Sequence, residues 1–271
     1  MEMGSTMSAD PVSGPAAAAG EDREHDFRSF LVYLDSIQVD FDGFLALDIS
    51  SFGVREDELR VIIGPNGAGK TTLCDVISGK TLPSSGRVFF DGNDITTMPD
   101  DEIARLGVGR KFQTPTVFDS LTVFENMELS LPGTKGIWRS LLSRQSTESR
   151  DHIMSLLERV RLVTQAEKQA RHLSHGQRQW LEVSMLILAN PRLLLIDEPA
   201  AGLTDEETAL TAELFLELST SHSMIVIEHD MSFVRRLNAP VTVLNEGKVM
   251  AEGMIDSVQK DPAVVEAYLG R

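Results

Sequence analysis

Short stretches of this chain hold the residue types that phosphate and proton chemistry require. The run GPNGAGKTT, residues 64–72, places Gly64, Gly69, Lys70 and Thr71 at the spacing G-x-x-x-x-G-K-[ST]. Glycines in such a loop let consecutive backbone N–H groups turn inward around phosphate oxygens. Lys70 adds a positive charge near the β- and γ-phosphates, and the Thr71 hydroxyl is a ligand for Mg²⁺. Further along, LLLIDEP (193–199) ends an apolar run in two acids. Asp197 at the carboxyl end of a buried strand is placed to hold Mg²⁺ directly or through water. Glu198 follows it, where a carboxylate can orient and deprotonate a water in line with a γ-phosphate. In IVIEHDM, His229 follows another apolar run and can reach the same phosphate or water, although a lone histidine at a strand end is more often structural. Finally, Ser174, His175, Gly176 and Gln177 precede an apolar-patterned helix. A helix N-terminus leaves N–H groups unpaired and carries partial positive charge, so an anion is its natural ligand.

Such residues need a sheet to carry them, and the apolar pattern supplies one. LRVIIG (59–64) leads into the glycine loop, and LCDVISG behind it reads as a helix ending at Gly79. LLLID (193–197), MIVIE (224–228) and VTVLN (241–245) are short unbroken apolar runs separated by helical patterns such as DEETALTAELFLELS. That arrangement predicts an α/β fold with a mostly parallel sheet covered on both faces. Upstream, FLVYLDSIQVDF (30–41) and FDGFLALDISSF (41–52) alternate and read as an antiparallel strand layer. From Thr114 to about Ala170 helix formers dominate, and RDHIMSLLERV sets Ile153, Leu156, Leu157 and Val160 on one face. LPGTKGIWRSLLSR (131–144), with breakers Pro132, Gly133 and Gly136, reads as a loop and a short helix. Residues 1–26, rich in Ala, Gly, Ser, Pro and acid, read as a disordered tail and not as a signal peptide.

Composition narrows the partners. The net charge of −16 works against binding a phosphate backbone, which needs clustered Lys and Arg, so nucleic acid is not expected. The longest apolar runs fall far short of the roughly 20 residues that span a bilayer. The single cysteine, Cys74, excludes an internal disulfide and reads as a reduced thiol on a buried helix.

Taken in order, GPNGAGKTT, KFQ, LSHGQRQ, LLLIDEP and EHD resemble the nucleotide-binding subunit of an ABC transporter, over residues 30 to 271. The resemblance implies a RecA-like P-loop core with an antiparallel β-subdomain and an inserted α-helical subdomain. Residues 27–113 and 191–271 would form the catalytic core and 114–190 the helical part. It implies ATP and Mg²⁺ as ligands, with Gly64, Pro65, Asn66, Gly67, Ala68, Gly69, Lys70, Thr71 and Thr72 around the phosphates. Thr71, Gln113 and Asp197 would serve the metal, Glu198, His229 and Gln113 catalysis, and Phe41 the adenine, with Phe44 a nearby competitor. Ser174, Gly176 and Gln177 would cap the γ-phosphate held by a second subunit in a head-to-tail dimer.

Two positions depart from the family pattern. His175 stands where glycine is commoner; its side chain either points away from the phosphate or adds a donor there, and on the first reading His175→Gly leaves activity within a few-fold. Thr204, in PAAGLTDEE, stands where many relatives have aspartate, which puts the inter-subunit contact of that loop in doubt. GVGRKFQTPTVFDSLTVFENMEL, EPAAGLTDEET, EHDMSFVRRL and VVEAYLGR are most similar to the urea-importer ATPase subunit, within the branched-chain amino-acid type of importer. The resemblance implies two permease chains, a second ATPase subunit, an extracytoplasmic solute-binding protein, and a place on the cytoplasmic face of the membrane. Branched-chain amino-acid import is the alternative solute assignment. A soluble ABC ATPase acting on DNA or ribosomes is the alternative of another class, set against the single phosphate loop, short insertion and acidic charge. A non-catalytic ATP-binding scaffold is a third, opposed by Glu198, Gln113 and His229. Phe112, Pro115, Val117 and Phe118 are either permease contacts or core beneath the helical part.

Overall fold

The computed structural model describes residues 27–111, 117–131 and 147–269. Its first layer begins with a hairpin of β1 (Val32–Phe41) and β2 (Phe44–Val54). Asp42 and Gly43 join them, both at positive φ (52° and 91°), the backbone a two-residue turn needs to match the strand twist. Alternation buries Val32 and Leu34 and then, one residue out of phase, Ile37 and Val39. The slip falls at Ser36, itself at φ 53°, where the pairing of β1 with β4 (Ser85–Phe90) loses register between Asp35 and Gln38. β5 (Asn93–Asp94) completes a four-stranded antiparallel sheet ordered β2-β1-β4-β5.

The second sheet has six strands ordered β10-β9-β3-β8-β7-β6. It comprises β3 (Leu59–Ile63), β6 (Val108–Arg110), β7 (Leu193–Asp197), β8 (Ser223–Ile227), β9 (Pro240–Asn245) and β10 (Lys248–Met254). Pairing is parallel from β9 to β6, and only the edge strand β10 runs antiparallel. Adjacent residues of one strand serve opposite cores, as the two-residue period demands. Val61, Leu194, Ile196, Met224 and Val226 join the helical side. Ile62, Leu193, Leu195, Ile225 and Ile227 join the side shared with the antiparallel sheet and with α1 (Lys70–Ile77). This is the continuous apolar strand pattern of a sheet covered on both faces.

The helical side holds α3 (Val123–Leu129), α4 (Thr147–Arg159) and α5 (His175–Leu188), with α6 (Asp205–Leu218) and α7 (Met231–Leu237). α2 (Asp100–Leu106) precedes β6, while α8 (Ile255–Val258) and α9 (Pro262–Leu269) follow β10. Ile153, Leu156, Leu157 and Val160 are all buried, as their i, i+3, i+4, i+7 spacing predicts. The strands expected at 59–64, 193–197, 224–228 and 241–245 are present as β3, β7, β8 and β9, with ends shifted by at most one residue, whereas β4, β5, β6 and β10 carry no clear period and emerge only from pairing. The expected tail at 1–26 lies outside the described residues, as does all of the loop and short helix expected at 131–144 except Leu131. Among the described residues no helix is long and apolar enough to cross a membrane.

Candidate functional site

The glycine loop leaves β3 at Gly64 and enters α1 at Lys70, so its residues sit at the carboxyl end of a central strand. Gly69 shows why the loop cannot carry a side chain there. Its φ is 97°, and a Cβ would lie 2.7 Å from the Ala46 carbonyl oxygen of β2. Gly64 and Ala68 are buried, Pro65, Gly69, Thr71 and Thr72 half-buried, and Asn66 and Gly67 exposed. The buried Lys70 turns back over the loop, its Nζ donating to the Gly64 and Pro65 carbonyls at 2.9 Å each. Burial pushes its ammonium below the usual lysine range, opposed by the charges of Glu198 and Asp197.

Parallel pairing brings the ends of β7 and β8 beside this loop. The Thr71 hydroxyl donates to Asp197 Oδ2 at 3.2 Å across 126 residues of sequence. Burial raises the Asp197 carboxyl above its ordinary value, and the Thr71 hydrogen bond opposes that rise. Glu198 lies just past the strand at φ 49°, in the left-handed region that non-glycine residues seldom adopt. Its Oε1 is 3.5 Å from His229 Nδ1, with both side chains half exposed. Lys70, Thr71, Asp197, Glu198 and His229, drawn from three segments of the chain, therefore converge at one end of the sheet. Gln113, with its neighbours Phe112 and Pro115, lies outside the described residues. Phe41 and Phe44 face each other across the hairpin end, 49% and 66% exposed, so both remain available to a flat ligand. Val117 goes to the core and Phe118, 55% exposed, to the surface. Cys74 is buried on α1 as expected, and burial pushes its thiol up to about 12.

The start of α5 is built by local chemistry. Ser174 Oγ accepts from Gln177 N, and Gln177 Oε1 accepts from Ser174 N, a reciprocal capping box. Both side chains expected at a phosphate are thus engaged on their own helix. Gly176 is buried against α6, where a Cβ would meet Glu207 Oε1 at 2.6 Å. Glu207 takes a hydrogen bond from Ser174 Oγ at 3.3 Å and closes a second capping box with Thr204. Hydrogen bonds from Thr204 first, and from Ser174, hold its carboxyl below the usual range. Thr204 caps α6, a role that aspartate fills at least as well, so capping is kept at this position whichever residue stands there. The His175 ring points onto its own chain, with Nε2 3.2 Å from the Ala201 carbonyl oxygen.

Two contributors escaped the sequence reading. Glu228, the acid that ends MIVIE, is fully buried and accepts from Ala200 N at 2.7 Å, His229 N at 2.9 Å and Asp230 N at 3.1 Å. An acid closing a buried apolar strand was the available signal. Lys111, next to the segment containing Gln113, pairs with Glu182 of α5 at 3.4 Å, both nearly buried.

A model of the ABC transporter family matches residues 47–201. The high-affinity branched-chain amino acid transport ATP-binding protein LivG of Salmonella typhimurium is 34% identical over 249 residues, covering 89% of this chain and 98% of that protein. BraF of Pseudomonas aeruginosa, described in the same words, is also 34% identical, with the same coverage of 89% and 98%. Among solved structures, a nucleotide-free ATP-binding cassette from an ABC transporter superposes with a TM-score of 0.78 at 31% identity, covering 89% of this chain and 99% of that one. A cassette in its ADP conformation gives a TM-score of 0.77 at 32% identity with the same coverage of 89% and 99%. Together with the convergence of the phosphate loop and the strand-end acids, these likenesses establish that the chain is an ATP-binding subunit and belongs to the ABC transporter family.

Proposed function

We infer that this chain hydrolyses ATP to drive import of branched-chain amino acids through a separate permease. The observation that carries the ATPase reading is the meeting of Lys70 and Thr71 with Asp197, Glu198 and His229 at the strand ends. Each chemical role follows from position. Lys70 would exchange its contacts with the Gly64 and Pro65 carbonyls for phosphate oxygens, while the backbone N–H groups of residues 66–72 surround them. Mg²⁺ fits the hard oxygen pair of Thr71 and Asp197, because that ion takes one or two protein ligands and completes its shell with water and phosphate. When bound, it supplies charge neutralisation at the transferring phosphoryl group. Glu198 accepts a proton from the attacking water, and His229 stands close enough to hold that carboxylate or the water in line. Gln113 is assigned to the metal and to signalling, and Phe41 to the adenine. Ser174, Gly176 and Gln177 present the N-terminus of α5 to ATP on a second subunit. One domain serves throughout, with 27–113 and 191–271 as catalytic core and 114–190 as helical part.

The expectation of urea gives way to its alternative, because LivG and BraF are named for branched-chain amino acid transport. No residue of the site touches the solute, so the solute assignment rests on those relatives alone. An open cavity of about 750 Å³ lies between α2 and the end of α5, lined by Asp101, Arg105, Arg110, Ser130, Leu186 and Asn190 among others. None of the phosphate-loop residues lines it, and its place beside the root of the Gln113 segment supports permease docking there. The partners are then two permease chains, a related ATPase subunit and, indirectly, an extracytoplasmic binding protein, with the chain held at the cytoplasmic face of the membrane.

Uptake of labelled leucine and labelled urea by the native host, wild type against Glu198→Gln, tests this reading. Selective loss of leucine uptake is expected. Selective loss of urea uptake would reinstate the other solute, and no change in either would overturn the transport reading.

A further inference from the structure

The loop between Glu198 and α6 is gripped from both sides. On one side Ala200 N donates to Oε1 of the buried Glu228, whose other oxygen accepts from His229 N and Asp230 N. On the other side the Ala201 carbonyl faces the first turns of α5, with His175 Nε2 and Gln179 Nε2 each 3.2 Å away. A carbonyl oxygen only accepts, so His175 bonds to it directly in the tautomer with the proton on Nε2; in the other tautomer Nε2 accepts from Gln179 Nε2, also 3.2 Å away, and Gln179 links the ring to Ala201. Gln179 turns its amide so that the nitrogen reaches Ala201, and this leaves its own Oε1 buried without a hydrogen-bond partner. Gly202, at φ 74°, leaves room for the ring: a Cβ there would lie 3.3 Å from His175 Nε2. Ser174 and Gly176 meet Glu207 on the next helix, so consecutive residues of the α5 start all abut one segment, 201–207.

We propose that His175 is a positioning residue which, through the Ala201 carbonyl, ties the start of α5 to the loop carrying Glu198, and through Ala200 and Glu228 to His229. Displacement of the α5 start is thereby felt at both groups that face the reacting water. The tie itself is a property of the isolated chain, while its effect on turnover rests on the ATPase reading above.

Two variants separate the hydrogen bond from the ring. His175→Phe keeps the ring without an N–H, and His175→Gln places an amide nitrogen near the same Ala201 oxygen. Amide hydrogen exchange over residues 199–203 is read on the full chain without nucleotide, followed by kcat and KM for ATP. One neutral, solvent-exposed hydrogen bond corresponds to roughly a three- to five-fold effect. His175→Phe is expected to exchange about three- to five-fold faster in this loop and to lose about the same factor in kcat, with KM for ATP within two-fold, because the phosphate loop is untouched. His175→Gln is expected to recover both readouts to within about two-fold of wild type. Unchanged loop exchange in His175→Phe overturns the proposal, as does a glutamine variant as impaired as phenylalanine. If wild type shows no turnover, the ATPase reading fails while the exchange measurement still decides the tie.

Discussion

Removing the Glu228 carboxylate tests the structure most sharply, because three backbone donors depend on it. In Glu228→Ala the N–H groups of Ala200, His229 and Asp230 lose their acceptor at a position with no solvent exposure. Each orphaned donor costs about 1–3 kcal/mol, and breaking a buried charged contact costs about 3–5 kcal/mol in total. For a chain of this size each kcal/mol moves the melting temperature by roughly 2–4 °C, so a drop of about 10 °C is expected. Glu228→Gln retains one oxygen. That oxygen serves best in the Oε2 position, where it keeps His229 and Asp230, while the amide nitrogen faces the Ala200 donor. One contact is lost instead of three, and the expected loss is about 1–2 kcal/mol.

The pH dependence has a definite sign. Burial raises the Glu228 pKa above its unfolded value, so the folded chain binds the proton more tightly than the unfolded one. The contribution of this group to stability is greatest below the unfolded value, near 4.3, and falls as pH rises from there to the raised folded value. Thermal melts of wild type and both variants, repeated between pH 4 and pH 8, read all three effects; the stability of wild type relative to Glu228→Gln should decline with rising pH across that window. An alanine variant melting within about 1 °C of wild type would refute the reasoning, since three orphaned donors cannot be that cheap. Equal losses in the alanine and glutamine variants would refute the assignment of two donors to one oxygen.

Other consequences can be checked independently. Glu198→Gln in purified protein should lower ATP turnover by about 100-fold or more while nucleotide binding persists, and a matching loss of binding would remove Glu198 from the general-base role. Lys70→Met deletes a charged donor from the loop and should weaken ATP binding by at least about ten-fold in a titration. Gly176→Ala favours the helix intrinsically by about 1 kcal/mol, and its methyl would lie 2.6 Å from Glu207 Oε1, the end of a flexible side chain that can swing aside; the two effects offset, and a net change within about 1 kcal/mol is expected in urea unfolding. Leu157→Ala, at a fully buried position of α4, should cost about 2–5 kcal/mol in the same assay.

What the amino-acid sequence determined by itself is what local chemistry enforces. GPNGAGKTT and DEP specify a phosphate loop and a strand-end acid pair, because backbone N–H groups, one ammonium and hard oxygens must follow one another at fixed spacing. Unbroken apolar runs at 193–197, 224–228 and 241–245 identify buried strands, and the spacing of Ile153, Leu156, Leu157 and Val160 identifies the buried face of α4, since period follows from backbone geometry. Short strands such as β5 and β6 carry too few residues to show a period, and their identity comes from the neighbour that pairs with them. Only the tertiary structure decided how Thr71 meets Asp197, how Glu228 reaches back 28 residues to Ala200, and that His175 turns onto Ala201. Side-chain direction at those places depends on which distant carbonyl or N–H stands opposite, and that is set by strand order and helix packing, which no local pattern encodes.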